Sequence, residues 1–274
     1  MNAESVVNAL REVSLPAYAG ALGLLTALVT GWLTARALRD CDVPSTSAAA
    51  VWGLIAGLVT VALTFALLEF KVQETPDVRP SELWWRLRPM YYAILVSLLT
   101  VATATDLKTY YILDWTTVSG MVLGVAAATL AGDLQLCHVW VDWNAEVPQL
   151  RGPEIPAWLG EHPHWHGLAW SVCGLLTGAG VTWAARFVSS LVLGQQALGF
   201  GDVTLMGMIG AFVGWQAVLI VFLLAPLCAV LVGLAVKVVS SRTYIPYGPY
   251  LALGAMLVLF NWRTIWLFEL DLAT

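Results

Sequence analysis

Two aspartates stand where a carboxylate is costly. Asp106 ends a run that begins at Pro89 and holds no other charge, and Asp202 opens an apolar run directly after Gly201. An ionisable side chain at the end of such a run is a candidate functional group. A pair of them can do chemistry that neither could do alone. Two carboxylates sharing a site do not both ionise cheaply, so one keeps its proton while the other acts as a base. Such a pair can activate a water against a peptide carbonyl and then protonate the departing amine. Gly199 and Gly201 fit the same chemistry, because a peptide can lie extended beside a carboxylate only where no side chain blocks it.

The elements that must bring these residues together are apolar helices. Of 274 residues, 59% are hydrophobic and 11% charged, the net charge is −5, and the mean hydropathy is +0.77. So few charges cannot cover a water-facing surface of this size. That balance excludes a soluble enzyme, a disordered chain and a nucleic-acid binder. The apolar runs are continuous and do not alternate, so the expected fold is an all-α, polytopic membrane protein with about eight transmembrane helices. They are expected near 16–36, 48–69, 89–106, 115–131, 168–192, 202–214, 216–239 and 248–268, the weakest division falling at Gly214-Trp215-Gln216. The run beginning at Pro16 is too long for a signal-peptide core and reads as a retained helix. Counting crossings puts the segments around Asp106, around 199–202 and around 244–249 on one face, with the 132–167 loop on the other.

Three segments on that face resemble the prepilin peptidases (type IV leader peptidases), membrane aspartyl proteases with a G-x-G-D motif. The first is Asp106-Leu107-Lys108-Thr109-Tyr110-Tyr111-Ile112-Leu113-Asp114; the second is Gly199-Phe200-Gly201-Asp202 with its apolar continuation; the third runs from Ile245-Pro246-Tyr247-Gly248-Pro249 to Gly254. The resemblance covers roughly residues 88–268 and implies two units. Residues 1–87 form an N-terminal two-helix membrane segment and loop without a zinc module. Residues 88–268 form the peptidase-like domain with an inserted loop at 132–167.

The resemblance further implies an endopeptidase of the inner (cytoplasmic) membrane, removing leaders from prepilins or pseudopilins at the cytoplasmic face. Asp106 and Asp202 would be catalytic, and Gly199, Gly201, Lys108, Pro246, Gly248 and Pro249 would meet the substrate. Substrate and membrane lipid are the expected partners, without nucleic acid, metal or cofactor. Leu113 stands where the family usually has proline, and Thr204 where it often has lysine, which points to altered fit. The family's paired C-x-x-C zinc module is missing from the first 90 residues, so methylation of the new amino terminus is not expected.

Other groups read more plainly. Cys41, Cys137, Cys173 and Cys228 are too widely spaced for a zinc ribbon, and the tryptophans suit an interfacial belt. Asp114 is expected to start a helix. His162, His164 and His166 are expected in a solvated loop. Basic residues are nearly balanced between the two faces, so charge does not choose the orientation. The alternative function is non-enzymatic, a transporter or assembly factor using the aspartates as a proton or cation relay; the chain lacks the internal repeat that a transporter would show.

Overall fold

The structure is a computed structural model describing residues 3–44, 46–75, 78, 80–139, 161–194, 198–239 and 246–273. The expected loop contents between 140 and 160, and the segment 240–245, lie outside the described residues. The helices are α1 (Ala3–Glu12), α2 (Leu15–Asp40), α3 (Thr46–Leu68), α4 (Glu82–Thr109), α5 (Asp114–Ala131), α6 (Pro163–Leu193), α7 (Phe200–Val239) and α8 (Gly248–Ala273). Among the described residues, six helices are long and apolar enough to cross a membrane: α2, α3, α4, α6, α7 and α8. They present large apolar side chains outward, among them Leu28, Leu58, Leu176 and Leu223. A surface of that kind belongs against lipid. This is an all-α, multi-pass membrane protein.

The difference between six helices and the eight expected runs has two sources. Residues 115–131 are helical, but α5 has only 18 residues and carries Asp114 and three hydroxyl side chains in its first half. Residues 202–214 and 216–239 follow one another directly, without a loop between them, and meet at Gly214, whose backbone is non-helical (φ 81, ψ 173). That break reverses the chain. Gly178 of α6 lies against Met206 and also against Val218, and a straight helix would separate those two residues by about 18 Å. α7 is therefore a hairpin whose two legs run side by side along α6. Only glycine adopts the Gly214 conformation without strain, and a Cβ there would also collide with the Trp170 ring.

Small residues set the remaining contacts. Lipid offers no hydrophobic gain for pairing two apolar helices, so close backbone approach must supply it. Gly174 of α6 meets the backbone of Gly210 and Gly214, and Gly23 and Gly31 of α2 meet Gly57 and Gly53 of α3. The larger of two buried apolar clusters among the described residues runs from Ala56, Leu63 and Leu67 of α3 through Tyr92 and Leu95 of α4 and Phe212 of α7 to Trp262 of α8. α2 joins it through the Thr30 hydroxyl, which donates to Ser97 Oγ at 2.9 Å.

The end away from the aspartates is strapped by polar contacts. Trp215 Nε1 donates to the Val139 carbonyl (2.9 Å), Gln216 Nε2 to that of His138 (2.7 Å) and Trp262 Nε1 to that of Leu136 (3.0 Å). Arg88 is fully buried there, donating to the Gln135 carbonyl at 3.1 Å with its guanidinium over the Trp85 ring. These partners explain why α4 begins at Glu82 and not at the expected residue 89. His166 also departs from expectation. It lies in the first turn of α6, buried, between the Gln135 side chain (3.1 Å) and the Val139 N–H (3.3 Å). His164 is exposed beside the Thr129 carbonyl.

The glycine contacts carry a stability consequence. Gly174→Ala or Gly210→Ala forces backbone apart and should each cost about 1–3 kcal/mol. Gly180, which a Cβ would leave with nothing within 4 Å, should accept alanine freely. Thermal unfolding of the three variants in one detergent checks this; equal midpoints would contradict the packing.

Candidate functional site

Asp106 lies in the last turn of α4. That helix stops at Tyr110, a non-glycine residue in the left-handed region (φ 56, ψ 28) whose N–H donates to the Asp106 carbonyl at 2.9 Å. This conformation costs about 1–2 kcal/mol for an L-residue. It turns the chain sharply, so that Ile112 passes under the neighbouring helices. The Asp106 side chain is only 6% exposed. A helix C-terminus is the wrong end for a negative charge. The start of α8 compensates: the Gly248 N–H donates to Asp106 Oδ2 at 2.9 Å.

Asp202 lies in the first turn of α7, the favourable end for a carboxylate. Its Oδ2 accepts from the Gly199 N–H at 3.1 Å, the reach-back of a capping box. It is 8% exposed. Both aspartates line one cavity of about 600 Å³, together with Asp114, Gly199, Gly201 and Pro246.

Ile112 joins the three segments. A Cβ at Gly201 would sit 3.1 Å from Ile112 Cβ, and one at Gly248 would sit 3.2 Å from Ile112 Cδ1 and 2.7 Å from Asp106 Oδ2. The two glycines therefore leave room for Ile112 and for the carboxylate. A Cβ at Gly199 would lie 3.4 Å from Asp202 Oδ2, an ordinary contact. Leu113, which stands where the resembled family usually has proline, has φ −73 and ψ 128, a backbone that proline itself would take. Its side chain is buried with Ala37 and Val101, which gives leucine a packing role there.

Not every residue singled out from the sequence reaches this cavity. Lys108 is exposed and lines a separate cavity of about 420 Å³ with Trp52, Leu107 and Tyr110. Pro249 occupies the first turn of α8 beside Gly248, half-buried and outside the cavity lining. Asp114 begins α5 as expected, and its exposed side chain borders the cavity. Among the described residues no group of three or more His, Cys, Asp or Glu could hold a metal ion.

The walls that sequence reasoning missed are aromatic and imino: Tyr110, Tyr111, Phe200, Phe222, Pro226 and Tyr247. Arg186 of α6 lies over the Phe200 ring at 5.8 Å. Burial pushes the Tyr247 phenol up to about 12, helped by the Asp202 carboxylate and Cys228. Its hydroxyl is thus a lasting donor in the cavity. Two signals were present in the sequence: the Tyr110-Tyr111 pair just after the Asp106 turn, and Pro226 alone in an apolar run.

The type IV leader peptidase family matches residues 158–234, which include Asp202 and both glycines before it. Three relatives carry the name prepilin leader peptidase/N-methyltransferase. The protein from Pseudomonas putida is 37% identical over 33% of this chain and 32% of its own length. That from Aeromonas hydrophila is 29% identical over 61% and 56%. That from Escherichia coli K12 is 35% identical over 32% and 40%. The chain therefore spans from about a third to just over half of the length of these curated relatives. No solved structure matches. The G-x-G-D run lies inside the matched segment and the other two motif segments fold against it, so the part of this chain that resembles the type IV leader peptidase family is the part that frames the cavity.

Proposed function

We propose that this protein is an aspartyl endopeptidase of the inner membrane that removes leader peptides from type IV prepilins or pseudopilins at the cytoplasmic face. The observation that carries this reading is the shared cavity: Asp106 and Asp202 line it together, each held by a backbone amide at the start of a helix. One carboxylate takes a proton from a water that attacks the scissile carbonyl, and the protonated partner delivers a proton to the departing amine. The amides of Gly199 and Gly248 fix both carboxylates while leaving the second oxygen of each to the reaction. Gly199 and Pro246 border the space for an extended peptide beside Asp202, while Gly201 makes room for Ile112. Tyr247 adds a hydroxyl donor.

Asp106→Asn and Asp202→Asn should each lower cleavage of a prepilin in detergent by about a thousandfold or more, with insertion and unfolding temperature kept. Asp114→Asn should retain much of the activity. Near wild-type turnover by either of the first two variants would remove the carboxylate pair from the mechanism.

Gly248→Ala should cost about a hundredfold in kcat, because its Cβ would displace the Asp106 carboxylate. Gly199→Ala, making only ordinary contact with Asp202, should cost clearly less. Steady-state kinetics of the pair test whether carboxylate placement governs the rate; the reverse order would refute it.

The same reading leaves methyl transfer to another protein. The relatives that carry the double name match this chain over only part of their length. Cys41 is the one cysteine in the first 90 residues, so a paired-cysteine zinc module has no ligands there. A pilin peptide processed in the presence of S-adenosylmethionine should emerge with an unmodified amino terminus. Mass spectrometry decides; the gain of one methyl group on the new terminal residue would reverse the assignment.

A further inference from the structure

Pro226 stands inside the second leg of α7. It has no N–H to offer the carbonyl of Phe222, four residues earlier, and its ring holds the helix open at that point. In a bilayer, a backbone carbonyl without its helical partner is tolerated where it lines a cavity. Phe222 and Pro226 both line the cavity that contains Asp106 and Asp202, so the gap in the hydrogen-bond ladder falls on the stretch of helix that borders the site.

The hairpin fixes its height. Gly178 touches Met206 on one leg and Val218 on the other, which puts those two residues level. One helical turn farther toward the open end of the hairpin lies Asp202 on the first leg and Phe222 on the second. The residue whose carbonyl is freed therefore lies at about the height of Asp202 along the hairpin.

A peptide that enters this cavity extended leaves water with its backbone N–H groups unpaired, at a cost of about 1–3 kcal/mol for each one buried. Side chains vary between substrates, but the backbone does not. The geometry points to the Phe222 carbonyl as the acceptor for one substrate backbone N–H, a docking contact that sets the extended peptide in register with the two aspartates. Pro226 is then a positioning residue, kept proline so that the helix does not consume the acceptor. This inference rests on the peptidase reading and deepens it.

Pro226→Ala restores the helical N–H and should close the acceptor. With a synthetic prepilin-type peptide, a short basic leader joined to an apolar stem, KM should rise about three- to tenfold, with a smaller change in kcat. A set of the same peptides carrying single backbone N-methyl groups reads the contact itself. At one position the methyl should weaken the peptide for wild type by about the same factor, and weaken it no further for Pro226→Ala. Equilibrium binding of the set to the Asp202→Asn protein and to the Asp202→Asn, Pro226→Ala double variant gives the same comparison without turnover. The docking contact is thus tested even if no peptide is cleaved. Equal KM and equal binding with and without Pro226 overturn the proposal. So does an N-methyl penalty that persists undiminished in Pro226→Ala, which would leave the proline a bend in the helix and nothing more.

Discussion

Two carboxylates at one end of an apolar bundle need partners other than bulk water, and the amides of Gly248 and Gly199 supply them. Each amide stands at the start of a helix, where N–H groups lack partners inside the helix and the dipole favours negative charge. For Asp202 the arrangement is local, since its own helix provides the donor. For Asp106 it is not. That carboxylate sits at the unfavourable end of α4 and borrows the start of α8, a helix much farther along the chain. The site consequently exists only when α4, α7 and α8 are docked.

Docking of those helices rests on close backbone approach. Trp170 fills the space beside Gly214, and Gly174 and Gly178 let α6 lie against both legs of the hairpin. An added methyl in that seam would force α6 and the legs apart, and so alter the distance across the cavity they frame. Packing in the bundle and geometry in the cavity are thus one constraint seen from two ends. At the opposite end, the side chains of Trp215, Gln216 and Trp262 are tied to carbonyls of residues 136–139. That strap holds the closed end of the hairpin while its other end frames the cavity.

The sequence by itself determined the class of fold and singled out the two carboxylates that share the cavity. Long apolar runs with few charges leave no architecture but membrane helices, and counting their crossings placed Asp106, Asp202 and residues 246–249 on one face without any knowledge of packing. The glycines beside Asp202 were legible in the sequence but their reason was not, since a Cβ at Gly201 would meet Ile112 and one at Gly199 would make only ordinary contact with the carboxylate. The position of the sixth and seventh runs was legible too, since Gly214 marks a break that an apolar pattern does not.

Tertiary structure decided what periodicity does not encode. An apolar run does not say whether a glycine inside it bends the helix or reverses it, and Gly214 reverses it because α6 packs against both legs. Lys108 and Asp106 are two residues apart and so point to different sides of α4, which sends the lysine to a separate cavity with Trp52. Arg88 and His166 looked like boundary or loop residues because charge and imidazole are costly in lipid, yet Gln135 and its neighbours provide the hydrogen bonds that bury them. The lone Pro226 reads as a flaw in an apolar run; its place beside the aspartates appears only once the hairpin folds, because the carbonyl it frees acquires meaning from what lies across the cavity.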